Sequence, residues 1–197
     1  MSSRFSRITD ELTRVGFCVT PDFLKPSEVS TIRGEMSEFE EAGEFHPAKI
    51  GIHNSNAEVR RDKSRWFDMA AGTSAQKMIT APLELLRLRC NEELLLGLVS
   101  LEGHYSLYED GDFYRRHHDA LSSDDRRVLS VVLYLNEAQL PAHGGQLLLH
   151  TATPTRIEAL GGTLVVFMSS EVEHEVLESR RQRKSFAGWF AQRKFQS

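Results

Sequence analysis

A histidine, a second histidine and an aspartate follow one another in the segment YRRHHDALSS, which runs from Tyr114 to Ser123. Imidazole nitrogens and carboxylate oxygens are common ligands of divalent transition metals. Taken alone, a His-x-Asp pair is more often part of a solvated turn than of a metal site. A further histidine, His174, lies far downstream between two predicted strands and could supply a distal ligand.

Two imidazole nitrogens and one carboxylate oxygen on one side of a metal leave the opposite coordination positions open. That arrangement suits Fe(II) when the ion must bind a co-substrate and dioxygen together. A zinc site would favour three histidines or cysteines, and no such set occurs at this spacing. The pattern therefore favours iron if the segment is a metal site at all.

A basic segment, SRRQRKS, follows His174, and most of its charges are expected to be solvated. Arg183 differs because it begins the last predicted strand, RKSFAGWF, in which alternation places Arg183, Ser185 and Ala187 on one face. An arginine that faces an apolar interior needs an anion, and a carboxylate is its best match. A dicarboxylate that chelates the metal at one end would present a carboxylate at the other.

These residues need a scaffold that brings distant segments together. From about Leu101, short alternating or β-branched runs are separated by turn residues, which predicts many antiparallel strands. Strands of this number and length are typical of a jelly roll, in which distant strands face each other across the barrel. We therefore expect a mainly β, cupin-like fold.

The first half of the chain is predicted to be mostly helical. Apolar residues recur at helical spacing in FSRITDELTRV, in a segment from Pro26 to Phe39 and in a region that contains Pro82. Gly16 is expected to end the first helix and Pro82 to break or kink the last. We expect one domain, with a helical layer and a loop at residues 1–100 and a jelly-roll core at residues 101–197.

The segment Lys49–Phe67 is long, polar and weakly periodic. It is either a plain surface connection or a functional loop, because long loops without secondary structure are uncommon in compact domains and often cover a site.

Composition excludes several classes of protein. A net charge of −4 over 197 residues gives no reason to expect a nucleic-acid partner. Two cysteines, Cys18 and Cys90, are too few for a disulfide framework or a cysteine metal cluster. The N-terminus lacks the apolar run of a signal peptide and no stretch approaches the length of a membrane span, so we expect a cytoplasmic protein without a membrane partner.

Five segments, taken in order, resemble the 2-oxoglutarate- and iron-dependent oxygenases, specifically the prolyl hydroxylase branch related to the hypoxia-sensing enzymes. They lie between about Leu101 and Phe190 and read YEDGDFYRRHHDA, LYLN, HGGQLLLH, GTLVVFMSSEVEHEVLES and RKSFAGWF. A weaker match is VRRDKSRWF. The ordered set is specific, although no single segment is, and it implies a double-stranded β-helix.

Residue by residue, the resemblance implies that His117, Asp119 and His174 bind Fe(II), with His118 as the variable middle residue. Alternation along an extended chain independently places His117 and Asp119 on one face. The resemblance also implies that Arg183 and Tyr134 hold the far carboxylate of 2-oxoglutarate.

Less specific segments of the resemblance imply roles for further residues. Tyr114 and Tyr108 match pocket tyrosines, and Trp189 matches a tryptophan near the pocket or in the core. The segment VRRDKSRWF, together with the length and polarity of Lys49–Phe67, implies that Lys49–Phe67 is a lid that contacts substrate. Its cations Arg60, Arg61, Lys63 and Arg65 would bind a protein partner, with Asp62 as an anchor, and the alternative is that these charges only keep the loop soluble. The substrate-loop residues are Arg60, Arg61, Asp62 and Trp66.

The implied activity is hydroxylation of an unactivated C–H bond by dioxygen, with conversion of 2-oxoglutarate to succinate and carbon dioxide and with ascorbate as a further ligand. The expected substrate is a prolyl residue of a protein. One alternative is a small molecule or free amino acid, and another is a non-catalytic cupin-like module with a structural metal. Arg183 and Tyr134 argue against the last, because a structural metal needs no carboxylate clamp.

Overall fold

Three α-helices occur within the described residues of the computed structural model, which are 4–49, 56–120, 126–137 and 141–193. They are α1 (Arg4–Val15), α2 (Pro26–Glu41) and α3 (Ser74–Leu94), and a short 3-10 helix covers Pro141–His143.

The third helix shows how packing overrides a local signal. It begins with a capping box between Thr73 and Gln76 and continues through Pro82, so the proline does not break it. Its buried face includes Ile79 and Leu83, which are completely shielded from solvent. Burial of this face outweighs the single backbone hydrogen bond that a proline removes.

Eleven strands are present in the same described residues, and every pairing among them is antiparallel. They are β1 (Phe17–Thr20), β2 (His46–Pro47), β3 (Lys63–Trp66), β4 (Leu98–Tyr108), β5 (Tyr114–His117), β6 (Arg127–Tyr134), β7 (Leu147–Leu149), β8 (Thr155–Ile157), β9 (Leu164–Met168), β10 (His174–Val176) and β11 (Arg183–Gln192).

The strands form two sheets. The large sheet has the order β1-β9-β6-β11-β4-β3-β2, and the small sheet has the order β5-β10-β7-β8. Strands distant in sequence are neighbours in both sheets, which is the arrangement of a jelly roll. The predicted fold class is therefore confirmed.

Each face of the large sheet is covered by a different layer. Its outer face packs on the three helices in one apolar core, which includes Phe186 and Phe190 of β11. Its inner face and the small sheet enclose a second core, which includes Tyr108 and Tyr134. Arg183 alternates with Phe186 along β11 and lies over the rings of those two tyrosines. The face of β11 that carries Arg183 is therefore the inner face of the large sheet.

The first half of the chain contributes more than helices. Strands β1, β2 and β3 all belong to the large sheet, so residues 1–100 supply part of the β structure as well as the helical layer. The interpretation of Lys49–Phe67 as one loop is wrong for its second half, because Lys63–Trp66 is a strand paired with β4. Its sequence, KSRW, lacks an apolar pattern because only Ser64 is buried there.

Residues 50–55, the first part of the predicted lid, lie outside the described residues. Among the helices that are described, none is long and apolar enough to cross a membrane. Cys18 and Cys90 are both buried as free thiols.

Candidate metal centre

Three side chains with metal-binding atoms meet at one edge of the small sheet. His117 is the last residue of β5 and His174 is the first of β10, and the two are direct cross-strand partners. Asp119 follows β5 and reaches both, with its carboxylate oxygens 3.5 Å from Nε2 of His117 and 3.6 Å from Nε2 of His174. The ligand atoms of the three residues lie within 4.8 Å of one another.

A β-bulge shapes this edge. His174 lies opposite His117 but Val176 lies opposite Tyr114, so three residues of β5 span what two span in β10. As a result Tyr114 and His117 lie on the same side of the strand, and their rings stack with centroids 3.6 Å apart. His118, which lies between His117 and Asp119, is exposed and is not part of the metal-binding group of the described residues.

Backbone carbonyls orient both imidazoles. Nδ1 of His117 lies 2.7 Å from the carbonyl oxygen of Arg115, and Nδ1 of His174 lies 3.1 Å from that of Val172. Because a carbonyl only accepts hydrogen bonds, each Nδ1 carries the proton and donates. Each Nε2 therefore keeps its lone pair for a metal ion.

The charges at the cluster suit a cation. Burial lowers the pKa of His174 to about 4, with Asp119 opposing the shift, so this imidazole is neutral near pH 7. Burial opposes ionisation of Asp119, but the two imidazoles and a hydrogen bond from Ser130 hold its pKa well below the usual range. Two imidazoles whose Nε2 atoms are free to bind, together with one carboxylate, fit Fe(II) with open positions on the opposite side.

The second feature of the inner face is a buried arginine without an anion. Arg183 is 1% exposed. It donates from Nε to the carbonyl of Gly145 and from Nη1 to Oγ of Ser185, each at 2.9 Å. Among the described residues no carboxylate lies within ion-pair distance of it. A buried guanidinium with only neutral partners is a strong binding site for an anion, because its charge is otherwise uncompensated.

Tyr134 complements this arginine. Its hydroxyl is buried and has no hydrogen-bond partner of normal geometry among the described residues. Burial raises the pKa of Tyr134, and the adjacent Arg183 charge opposes that shift without cancelling it. The phenol thus keeps its proton and can donate it to an oxygen held by Arg183. Tyr108 also lies beneath the guanidinium, with its ring centroid 4.7 Å from Cζ of Arg183.

The arginine and the metal ligands face one chamber. Along β11, Arg183 and Trp189 lie on the same face of the strand, with Arg183 at its first residue. Trp189 pairs with Ser130 of β6, which in turn pairs with Phe167 of β9. Ser130 is close enough to Asp119 to help lower the pKa of its carboxyl, and the centroid of the Phe167 ring lies 4.6 Å from that of His174. The metal ligands therefore lie over the row of cross-strand partners Trp189, Ser130 and Phe167.

The residues expected in a substrate loop have separate roles. Arg60 binds Asp62 through two hydrogen bonds of 2.8 and 2.7 Å, and Asp62 is almost fully buried. Arg60 also lies over the Tyr114 ring at 4.3 Å, so it is held inside the fold rather than free to bind a partner. Arg61 is exposed and covers Phe113.

Trp66 is 51% exposed and lies against the rings of His104 and Trp189. The sequence analysis assigned no role to His104. Along β4, His104 shares a face with Ser106 and Tyr108, which places it on the inner face of the large sheet but outside the metal-binding group of the described residues. Alternation along this strand is the signal in the sequence that indicates the inner face.

Comparisons with known proteins agree with this geometry. A family model described as the 2OG-Fe(II) oxygenase superfamily matches residues 103–191. A search of curated protein sequences found no match. Among solved structures, a prolyl-4-hydroxylase from Pseudomonas putida is 38% identical with a TM-score of 0.88, and the match covers 96% of this chain and 100% of that one.

A prolyl hydroxylase in complex with a hypoxia inducible factor oxygen degradation domain peptide fragment, from Trichoplax adhaerens, is 25% identical with a TM-score of 0.89. This second match covers 95% of this chain and 88% of that one. The inner-face arginine, the two-histidine, one-carboxylate cluster and these similarities lead to one conclusion: the chain belongs to the 2-oxoglutarate- and Fe(II)-dependent oxygenases and is prolyl hydroxylase-like.

Proposed function

We propose that this oxygenase hydroxylates a prolyl residue of a protein or peptide, with His117, Asp119 and His174 as the iron ligands. The observation that carries the proposal is Arg183, a buried cation with no carboxylate at ion-pair distance in the described part of the chain, on the same inner face as the metal-binding cluster. That pairing suits a co-substrate with a chelating end and a carboxylate end.

The enzyme uses Fe(II) and 2-oxoglutarate. Bound iron supplies the activation of dioxygen that places one oxygen atom in a C–H bond of the substrate, while 2-oxoglutarate is oxidised to succinate and carbon dioxide. The chain's own contribution at the metal is orientation, because the Nδ1 hydrogen bonds of both histidines aim Nε2 at one point.

Arg183 and Tyr134 bind the far carboxylate of 2-oxoglutarate in this proposal. Arg183 supplies charge and the Tyr134 hydroxyl supplies a donor that is otherwise unsatisfied. Gly145 and Ser185 hold the guanidinium in place, so little ordering is needed when the carboxylate binds. Tyr114 and Tyr108 line the same chamber and shield it from water.

A prolyl substrate is supported by similarity to two proteins described as prolyl hydroxylases, one of them in complex with a peptide. Trp66, half exposed beside Trp189, offers aromatic surface to an incoming peptide. Arg61 is exposed and could meet its acidic or carbonyl groups, whereas Arg60 and Asp62 anchor this segment. Two buried free thiols support a reducing cytoplasmic location. Ascorbate binding stays a prediction.

The test supplies purified enzyme with Fe(II), 2-oxoglutarate and isotopically labelled dioxygen, together with a pool of blocked peptides that each contain one central proline. The expected result is succinate formation coupled to one labelled oxygen atom on proline, located by fragmentation mass spectrometry. Succinate without oxidised proline, but with a labelled amino acid or metabolite from a cell extract, would instead support the small-molecule alternative. Absence of succinate under all conditions would favour a non-catalytic module.

A further inference from the structure

We propose that His104 and Trp189 together bind one backbone amide group of the substrate at the open end of the chamber. In this arrangement Nε2 of His104 accepts a hydrogen bond from the amide N–H, and the indole N–H of Trp189 donates to the amide carbonyl. The inference rests on the proposed function and extends it, because it assigns the residues that recognise the peptide backbone beside the reacting residue.

His104 presents an acceptor. Its Nδ1 lies 3.2 Å from the carbonyl oxygen of Tyr105 and 3.1 Å from Oγ of Ser106. The carbonyl can only accept, so Nδ1 carries the proton and Nε2 has a free lone pair. No hydrogen bond joins Nε2 to any residue that the structure describes. Burial, reinforced by the charge of Arg60, lowers the pKa of His104 to about 4, so the ring is neutral near pH 7.

Trp189 presents a donor. The residue is 8% exposed, and its Nε1 is buried with no hydrogen-bond partner among the described residues. The guanidinium of Arg127 lies 3.9 Å from the centre of the indole and is itself paired with Glu102. The ring is therefore held in place while its N–H stays unsatisfied. Most buried donors in proteins are satisfied, and a ligand carbonyl would meet this need.

Trp66 completes a box of three rings. Its ring centroid lies 4.8 Å from that of His104 and 6.0 Å from that of Trp189, and the His104 and Trp189 centroids are 5.6 Å apart. These separations are those of rings in direct contact, and Trp66 is the member of the group that is exposed to solvent. A flat group that lies against the edges of the His104 and Trp189 rings would meet one acceptor and one donor.

The box lies next to the metal ligands. Trp189 is the cross-strand partner of Ser130, which is close enough to Asp119 to help lower the pKa of its carboxyl. His104 is the cross-strand partner of Ala187, and Ala187 lies two residues before Trp189 on the same face of β11. An amide held by His104 and Trp189 would therefore fix a neighbouring residue of the same peptide near the cluster.

A secondary amide, with one N–H and one C=O, matches this pair of groups. A site built to hydrogen-bond a polar group rejects analogues that lack it, because its own buried groups are then left unpaired. The geometry thus favours a peptide over a free amino acid as the molecule that binds beside His104 and Trp189.

The experiment uses a blocked peptide with a central proline, taken from the pool described above, and its ester analogues. In each analogue one backbone N–H near the proline is replaced by oxygen, which keeps the carbonyl and the shape but removes the donor. Wild-type enzyme should show a kcat/KM about tenfold lower for the ester at one position next to the proline. Equal kcat/KM for every ester and its amide parent would overturn the proposal, whatever the variants do.

Three variants then locate the effect. His104→Phe keeps an aromatic ring without Nε2 and should bring the amide-to-ester ratio of kcat/KM close to one. His46→Phe, at an exposed histidine of β2, is the matched control and should keep the wild-type ratio. Trp189→Phe should raise KM for amide and ester alike and keep the ratio, since it removes the group that meets the carbonyl.

The ratio compares two substrates in one protein sample, so a loss of folded or iron-loaded enzyme cancels. An unaltered ratio in His104→Phe, or an unaltered KM in Trp189→Phe, would contradict the role of that residue. If wild-type enzyme forms succinate but oxidises no peptide of the pool, the prolyl function fails and the amide site fails with it. If it oxidises amide and ester equally well, only the amide site fails.

Discussion

His117 and His174 are direct cross-strand partners in the small sheet, with ring centroids 4.3 Å apart, although they belong to strands far apart in sequence. The register of β5 against β10 therefore decides whether a metal site exists. Asp119 joins them because the chain turns immediately after β5.

Replacement of His117, Asp119 or His174 by alanine should abolish iron binding, whereas His118→Ala should keep it. Each of the three supplies one donor atom to the cluster, and His118 is exposed outside it. Loss of even a supporting group commonly weakens metal binding by about 10- to 100-fold, so loss of a ligand should exceed that. Iron content of the four purified variants measures this. An iron-free His118→Ala beside an iron-loaded His117→Ala would reverse the ligand assignment.

Arg183→Ala should weaken 2-oxoglutarate binding by about 2–5 kcal/mol, because the carboxylate is left without its buried cation. Lys184→Ala is the matched control on the same strand. Its ammonium pairs with Glu40 at 3.1 Å on the helix side, so its loss should lower stability but not affinity. Calorimetric titration of 2-oxoglutarate into the manganese-loaded variants compares them. Equal affinities for Arg183→Ala and wild type would remove Arg183 from the clamp.

Gly145→Ala should also weaken 2-oxoglutarate binding, through displacement of Arg183. A Cβ at Gly145 would lie 2.9 Å from Cδ of Arg183 and 2.6 Å from Oγ of Ser179. Gly43→Ala has a similar positive φ, +72° against +68°, but its Cβ would meet nothing within 4 Å. Both substitutions carry backbone strain of about 1 kcal/mol, so strain alone does not distinguish them. Only Gly145→Ala displaces Arg183, and it should lower the affinity for 2-oxoglutarate by about tenfold or more, which corresponds to the loss of about one hydrogen bond. The same titration tests this, and equal affinities would show that Arg183 tolerates the displacement.

Asp62→Ala should destabilise the protein by about 3–5 kcal/mol, since it leaves the nearly buried Arg60 guanidinium without its partner. Glu109→Ala is the control, because its contact with Lys63 is 4.0 Å long and about half exposed, and such pairs contribute about 0–1 kcal/mol. Urea unfolding of the two variants gives the difference. Similar losses in both would mean that the Arg60–Asp62 pair is not a structural anchor.

Acid should destabilise the metal-free protein partly through His104. Burial, with Arg60 nearby and Asp62 opposing, lowers its folded pKa to about 4, from the ordinary histidine value of about 6.5. The unfolded chain therefore binds the proton first as pH falls, and stability declines between about pH 6.5 and pH 4 by up to about 3 kcal/mol from this group. His104→Phe should flatten the dependence of unfolding free energy on pH in that window, measured by urea unfolding. An unchanged slope would contradict a buried neutral imidazole.

The sequence by itself was enough for the jelly roll, since short alternating strands and Gly-containing turns are local signals. It also separated His117 and Asp119 from His118, because side chains alternate along an extended chain. The same argument placed Arg183, Ser185 and Ala187 on one face of the last strand. The resemblance to a known family supplied what local patterns cannot, namely that His174 is the distal partner.

Other features were decided by tertiary structure. The bulge in β5 brings Tyr114 onto the side of His117, against simple alternation, because register depends on β10 rather than on β5 alone. Arg60 and Arg61 are neighbours with the same charge, yet one is buried against Asp62 and the other is exposed. The box of Trp66, His104 and Trp189 joins three strands, and its unpaired polar atoms appear only when those strands are packed. Such properties arise from contacts between distant segments, to which no local pattern of residues corresponds.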